Sequence, residues 1–131
     1  MHLYETAVSF ADERGVIVDL IENESINAVT LITIKQGAVR GNHYHEKTWQ
    51  WNYVVRGRMK LVTQMPGEAL NEKILEPGQL ALTDPYERHA LVGVEDCEVL
   101  VFTKGPRGGK EYESDTFRLE VPLVAAGGAA R

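Results

Sequence analysis

The 131-residue sequence predicts an all-β domain, a sandwich or barrel built from many short strands. Three observations carry that prediction. Short runs rich in Val, Ile, Leu and Thr recur along the chain, Gly, Pro, Asn and Asp punctuate them at regular intervals, and helix signals are weak throughout.

In order, the runs Val16–Ile21, Ala28–Ile34, Gln50–Val55, Met59–Thr63, Gln79–Thr83 and Glu98–Thr103 read as strands. Turn chemistry separates them at Asn23–Ser25, Lys35–Gly37, Arg56–Arg58, Met65–Gly67, Pro77–Gly78 and Val94–Asp96. Residues 1–15 are expected to form an arm leading into the first strand. Residues 105–131 are expected to form a Gly-rich charged loop, then an edge strand in which Phe117, Leu119 and Val121 alternate with charged residues, then a fraying tail from Ala125. No linker interrupts the chain, so residues 1–131 make a single domain, large enough to bury about two-thirds of its unfolded surface.

The formal charge of −5 argues against a nucleic-acid or anionic-membrane partner, while leaving room for a local cationic pocket. Cys97 is the only cysteine, so no internal disulfide forms, and its place after a turn suggests an inert buried thiol. The start MHLYETAVSFADERG lacks the apolar core of a secretory signal, and no apolar run nears the roughly 20 residues that span a bilayer. A cytoplasmic protein is expected.

The chemistry concentrates between Gly37 and Gly57, in GAVRGNHYHEKTWQWNYVVRG. His43 and His45 are two apart, so on an extended strand both imidazoles point to one face. Gln50 follows after room for a turn, and His89 stands about forty residues on, in DPYERHA. A third imidazole from a distant strand would complete a three-histidine metal site, with Gln50 as fourth ligand and open positions for water or substrate. The set does not choose among Zn, Ni, Mn, Fe and Cu. Four neutral ligands would leave a divalent ion its full charge and make it the stronger Lewis acid. Alternatively, Gln50 hydrogen-bonds a ligand histidine or a water. Asn52 and Val54 share the face of Gln50 and should line the cavity, as should Met59 or Lys60. Trp49 and Trp51 face away, towards the outside of the barrel or a subunit contact.

The spacing Gly37-x5-His43-x-His45-x4-Gln50-x6-Gly57 resembles the first motif of the cupin superfamily, which carries Glu where this chain has Gln50. Gly78, Pro85 and His89 resemble the second motif more loosely, without the Asn that usually follows its histidine. The resemblance implies a cupin-type double-stranded β-helix, an RmlC-like jelly-roll barrel, and homodimers joined through edge strands.

Arg40 to His45, with Gln50, is similar to a stretch of nucleotide-sugar 3,4-ketoisomerases. Asp12-Glu13-Arg14-Gly15 resembles a turn near the start of those enzymes and of deoxysugar 3,5-epimerases. GNHYH and the run Asp115–Val121 are similar to the C-terminal cupin domain of capsular-polysaccharide deoxysugar reductases. These likenesses imply a small-molecule substrate from nucleotide-sugar metabolism and an isomerase or epimerase working through an enediolate. In the ketoisomerases the paired histidines move protons, which would make His43 the base with His45 assisting. Arg40 and Arg14 would contact a diphosphate, since a guanidinium meets phosphate bidentately, and Asn52 would face the substrate.

A histidine bound to metal is not free to act as a base. His89 in the second-motif position favours the metal. Two other functions stay open: a dioxygenase with a redox metal, and a non-enzymatic small-molecule-binding or oligomerisation module.

Overall fold

The computed structural model describes residues 1–106 and 113–125. The described residues form twelve strands: β1 (His2–Glu5), β2 (Val8–Asp12), β3 (Gly15–Val18), β4 (Ala28–Ile34), β5 (Val39–Tyr44), β6 (Trp49–Arg56), β7 (Met59–Gln64), β8 (Asn71–Leu75), β9 (Gln79–Thr83), β10 (Arg88–Gly93), β11 (Cys97–Lys104) and β12 (Phe117–Arg118). They build one five-stranded sheet in the order β1-β9-β6-β11-β4 and another in the order β12-β5-β10-β7-β8, with β2 and β3 as a separate hairpin. Every pairing is antiparallel.

Side-chain alternation explains how the sheets close on each other. Along β11, Cys97, Val99, Val101 and Thr103 are buried while the residues between them are only partly covered. The inward residues join Ile34, Val54, Met59, Leu61, Leu75, Ala81 and Leu91 in one core. Gly57 makes the β6–β7 turn at φ 79°, where an added Cβ would lie 2.2 Å from the Asp96 carbonyl oxygen. Only glycine fits there.

The predicted runs Ala28–Ile34 and Gln79–Thr83 are strands over the same residues. The first predicted strand is shorter, ending at Val18. Beyond it, Ile21 and Ile26 pack against a second apolar cluster formed by Trp51, Leu80 and Leu82, with Trp49 alongside. Trp51 is therefore covered by its own chain and is not an exposed contact aromatic.

The expected arm carries two strands of its own. His2–Glu5 pairs with Gln79–Leu82, and Val8–Asp12 pairs with Gly15–Val18. Met59 joins the core, whereas Lys60 faces outward and pairs with Glu72 at 3.4 Å. Cys97 is buried, and burial pushes its thiol pKa up, which keeps it protonated and unreactive. The expected edge strand exists as the two residues of β12, while the predicted loop and tail fall partly outside the described residues. Among the described residues, no helix is long and apolar enough to cross a membrane.

Candidate functional site

The site begins with an irregularity in β5. Its register against β10 pairs His43 with His89, Gly41 with Ala90 and Arg40 with Leu91, leaving Asn42 as an extra residue. Gly41 (φ 92°) and Asn42 (φ 58°) both adopt left-handed backbone to accommodate it. An added Cβ on Gly41 would lie 2.9 Å from the His89 carbonyl oxygen. Simple alternation would put Arg40 and His43, three residues apart, on opposite faces. The bulge corrects the phase, so both point inward, as do their partners Leu91 and His89.

Asn42 also uses the exposed side of the bulge. Its Oδ1 accepts from the backbone N–H of Leu123 (2.9 Å) and Val124 (3.2 Å), and its Nδ2 donates to the Val124 carbonyl at 3.0 Å. Its own carbonyl accepts from Leu119 N–H at 3.0 Å. The segment 117–124 is thereby strapped along the edge of β5.

The three predicted histidines meet. Ring centroids are 4.9 Å apart for His43–His45, 4.8 Å for His43–His89 and 5.3 Å for His45–His89. One ligand nitrogen from each lies within 4.8 Å of the others. His45 Nδ1 contacts the Asp115 carbonyl oxygen at 3.0 Å, and His89 Nδ1 contacts that of Glu87 at 3.0 Å. A carbonyl can only accept, so Nδ1 carries the proton in both rings and each Nε2 keeps its lone pair.

His43 Nδ1 is buried with no hydrogen-bond partner among the described residues. Burial pushes the His43 pKa down to about 3, helped by the charges of His89, His45 and Arg118. Burial also holds His89 down to about 4, with His45 adding to it and Glu87 opposing. Both imidazoles are neutral at physiological pH. His45 and His89, with tautomers fixed by the Asp115 and Glu87 carbonyls, and the neutral His43 form a donor set that fits a divalent ion.

Two buried carboxylates frame the cluster. Asp115 accepts from Glu46 N–H (3.0 Å), Lys47 N–H (3.2 Å) and the Thr48 hydroxyl (2.6 Å). Glu87 pairs with the Met1 ammonium and accepts from Asp84 N–H at 3.0 Å.

A cavity of about 210 Å³ opens beside the histidines. His43, His89, Gln50, Asn52 and Arg40 supply its polar lining, and Ile32, Leu91 and Val101 much of its apolar wall. Asn52 is held by a bond from its Nδ2 to the Ala81 carbonyl at 3.3 Å.

Arg14 stands elsewhere. It lies on the β2–β3 turn with 80% of its side chain exposed, and its guanidinium bonds Asp12 at 2.6 and 2.9 Å. A carboxylate two residues away claims it before the cavity can. Arg118 was missed by sequence reasoning. It faces His43 directly across the β12–β5 pair. The signal that could have found it is the Gly41-Asn42 pair, whose bulge and strap bring the C-terminal segment to this edge. Tyr44 points outward and stacks on Phe117, with Arg88 lying over its ring at 3.9 Å.

A sequence profile described as the polysaccharide biosynthesis C-terminal domain matches residues 10–76, just over half of the chain. The chain belongs to that family. No curated protein matches the sequence at a significant level.

Among solved structures, a double variant of the 3,4-ketoisomerase QdtA from Thermoanaerobacterium thermosaccharolyticum, in complex with TDP, is 25% identical. The match covers 90% of this chain and 86% of that one, with a TM-score of 0.74. A histidine-to-asparagine variant of QdtA, in complex with TDP-4-keto-6-deoxyglucose, is 21% identical over 90% and 86%, with a TM-score of 0.73. The 3,5-epimerase RmlC from Legionella pneumophila, in complex with dTDP-4-keto-L-rhamnose, is 12% identical over 98% and 80%, with a TM-score of 0.76. This member of the polysaccharide biosynthesis family is thus an RmlC-like cupin jelly roll, as the motif spacing implied.

Proposed function

We propose that the chain is an isomerase or epimerase of a nucleotide-linked oxo-sugar, with a divalent metal ion held by its histidine cluster. One observation carries this reading. Three imidazoles converge beside a cavity of about 210 Å³ that Arg40 also lines, in a fold shared with proteins that bind TDP and keto-sugar nucleotides.

His43, His45, His89 and Gln50 would hold the ion. When bound, it supplies a Lewis acid for the sugar carbonyl, acidifying the adjoining C–H. The chain's own residues do the rest. Arg40, anchored through Nε to the Thr33 carbonyl at 3.1 Å, keeps its outer N–H groups for a phosphate. Asn52 and Gln50 orient hydroxyl groups of the sugar. Ile32, Leu91 and Val101 exclude water around the reacting carbons.

A second reading dispenses with metal. Among the described residues, the cavity lining holds no acid–base group other than His43 and His89, and a ketoisomerase with one histidine replaced holds a keto-sugar nucleotide. His43 would then take the proton beside the carbonyl and return it at the neighbouring carbon.

The deciding test is turnover of TDP-4-keto-6-deoxyglucose by metal-replete and chelator-stripped protein, with elemental analysis of both. Loss of activity on stripping and its return with metal supports the first reading. Full activity in metal-free protein replaces it with the second. No turnover of any keto-sugar nucleotide in either state would sink the isomerase assignment. Gln50→Glu should retain the ion while slowing turnover, because an anionic ligand cancels one unit of charge. Loss of the ion in that variant would remove Gln50 from the ligand set.

We also propose that the protein works as a cytoplasmic homodimer. Among the described residues, β4 ends its sheet without an outer partner, with Val29 and Leu31 57% and 60% exposed, and the β2–β3 hairpin shows Val8, Phe10, Val16 and Ile17 to solvent. An edge strand with exposed apolar residues invites pairing with another chain. Light scattering should give a dimer for the native chain and a monomer for Leu31→Asp. A native monomer at all concentrations would refute the dimer.

A further inference from the structure

The described arginines divide into two groups. Arg14, Arg56 and Arg58 pair with Asp12, Glu98 and Glu95, and Arg88 lies over Tyr44. Arg40 and Arg118 have no carboxylate partner among the described residues, and both stand next to His43. Arg40 shares its strand and face, while Arg118 is its cross-strand partner on β12. Directly paired residues of an antiparallel ladder project to the same face, with Cβ atoms about 5 Å apart. In a chain with net charge −5, two guanidiniums without a carboxylate beside one imidazole form a local anion site.

The placement of Arg118 is fixed at both ends. Asp115 is bound to residues 46–48, and Asn42 is bound to Leu119, Leu123 and Val124. Arg118 lies between the two anchors and is exposed. His43 lines the cavity, so Arg118, its cross-strand partner, lies close to that cavity.

We propose that Arg118 binds the phosphate groups of the ligand at the cavity mouth, acting with Arg40. This rests on the nucleotide-sugar reading, and deepens it by naming a residue that places the diphosphate. An exposed guanidinium stays hydrated until an anion arrives, then offers two parallel N–H bonds to phosphate oxygens.

The test is calorimetric titration of the full chain with TDP and, separately, with inorganic pyrophosphate. Arg118→Gln should weaken TDP binding by about tenfold or more, Arg118→Lys by less, and Arg56→Gln, which alters a pair far from the site, not at all. Thermal melting of each variant shows that it folds, and Arg118→Lys stands in should Arg118→Gln not fold. If Arg118→Gln binds TDP within twofold of the native chain, the inference falls while the nucleotide-sugar reading stands. If the native chain ignores TDP but binds pyrophosphate through Arg118, the anion site stands and the nucleotide reading falls. Binding of neither probe overturns both.

Discussion

Replacing His43 with alanine is expected to bring metal content from one ion per chain to near zero and to lower kcat by about 10³. His43 is within 4.9 Å, centroid to centroid, of both other imidazoles, so its loss opens the cluster at its most central member. The fold should survive. The substitution removes a buried nitrogen that has no partner among the described residues and empties space that already borders the cavity. Unchanged melting with absent metal, measured by elemental analysis, is the expected pair of results. Full metal stoichiometry in His43→Ala would end the metal-site proposal.

The pH dependence follows the same groups. His43 and His89 titrate near 3 and 4 in the folded chain, against about 6.5 when unfolded. Between those values the unfolded chain takes up protons that the folded chain refuses. Stability is therefore complete above about pH 6.5 and falls as the pH drops through 6.5 towards 3. His43→Ala removes one of the two groups, so denaturation midpoints should fall less steeply with acid in that window. An identical slope would mean that the imidazole is not desolvated as its burial implies.

Asp115→Ala should cost about 2–4 kcal/mol of stability and most of the activity. The substitution strips an acceptor from two backbone N–H groups and one buried hydroxyl at once. It also frees the backbone carbonyl that fixes His45 Nδ1, so damage spreads from the turn to the cluster. Thr48→Val removes only one of these bonds and should cost about 1 kcal/mol. Asp115→Asn keeps one acceptor and should fall between them. Urea denaturation checks the order. A loss below about 0.5 kcal/mol for Asp115→Ala would show that the turn holds without it.

Much of the fold was legible because strands buried on one face announce themselves. Cys97 to Lys104 alternates cleanly, and Ala28–Ile34 nearly as well. Strands with little burial carry no such pattern. β8, Asn71-Glu72-Lys73-Ile74-Leu75, exposes four of five residues, and β1 exposes all four. Ile21 reads as strand because it is apolar, yet its partner is the outer side of Trp51.

The meeting of the three histidines was legible from the His-x-His spacing together with the resemblance to the cupin motifs, and Gln50 lines the same cavity. Arg14 was misplaced because a local carboxylate two residues away outcompetes a distant site. Arg118 and Asp115 were invisible as site residues because their contacts run to residues some seventy positions away. Only the Gly41-Asn42 pair, distant in sequence, hints at the edge they reach.

The strap also bears on how the protein comes to be made. On a ribosome, residues 115–124 emerge after every strand of both five-stranded sheets except β12. The pairings that precede them are themselves distant, β1 with β9 and β4 with β11, so closure of the barrel is slow by topology. Until Asp115 reaches residues 46–48, His45 has no carbonyl to set its ring. A nascent chain can therefore hold a nearly complete barrel while its histidine cluster is still unset. Chemical competence would arrive last, within the final few residues that complete the wall.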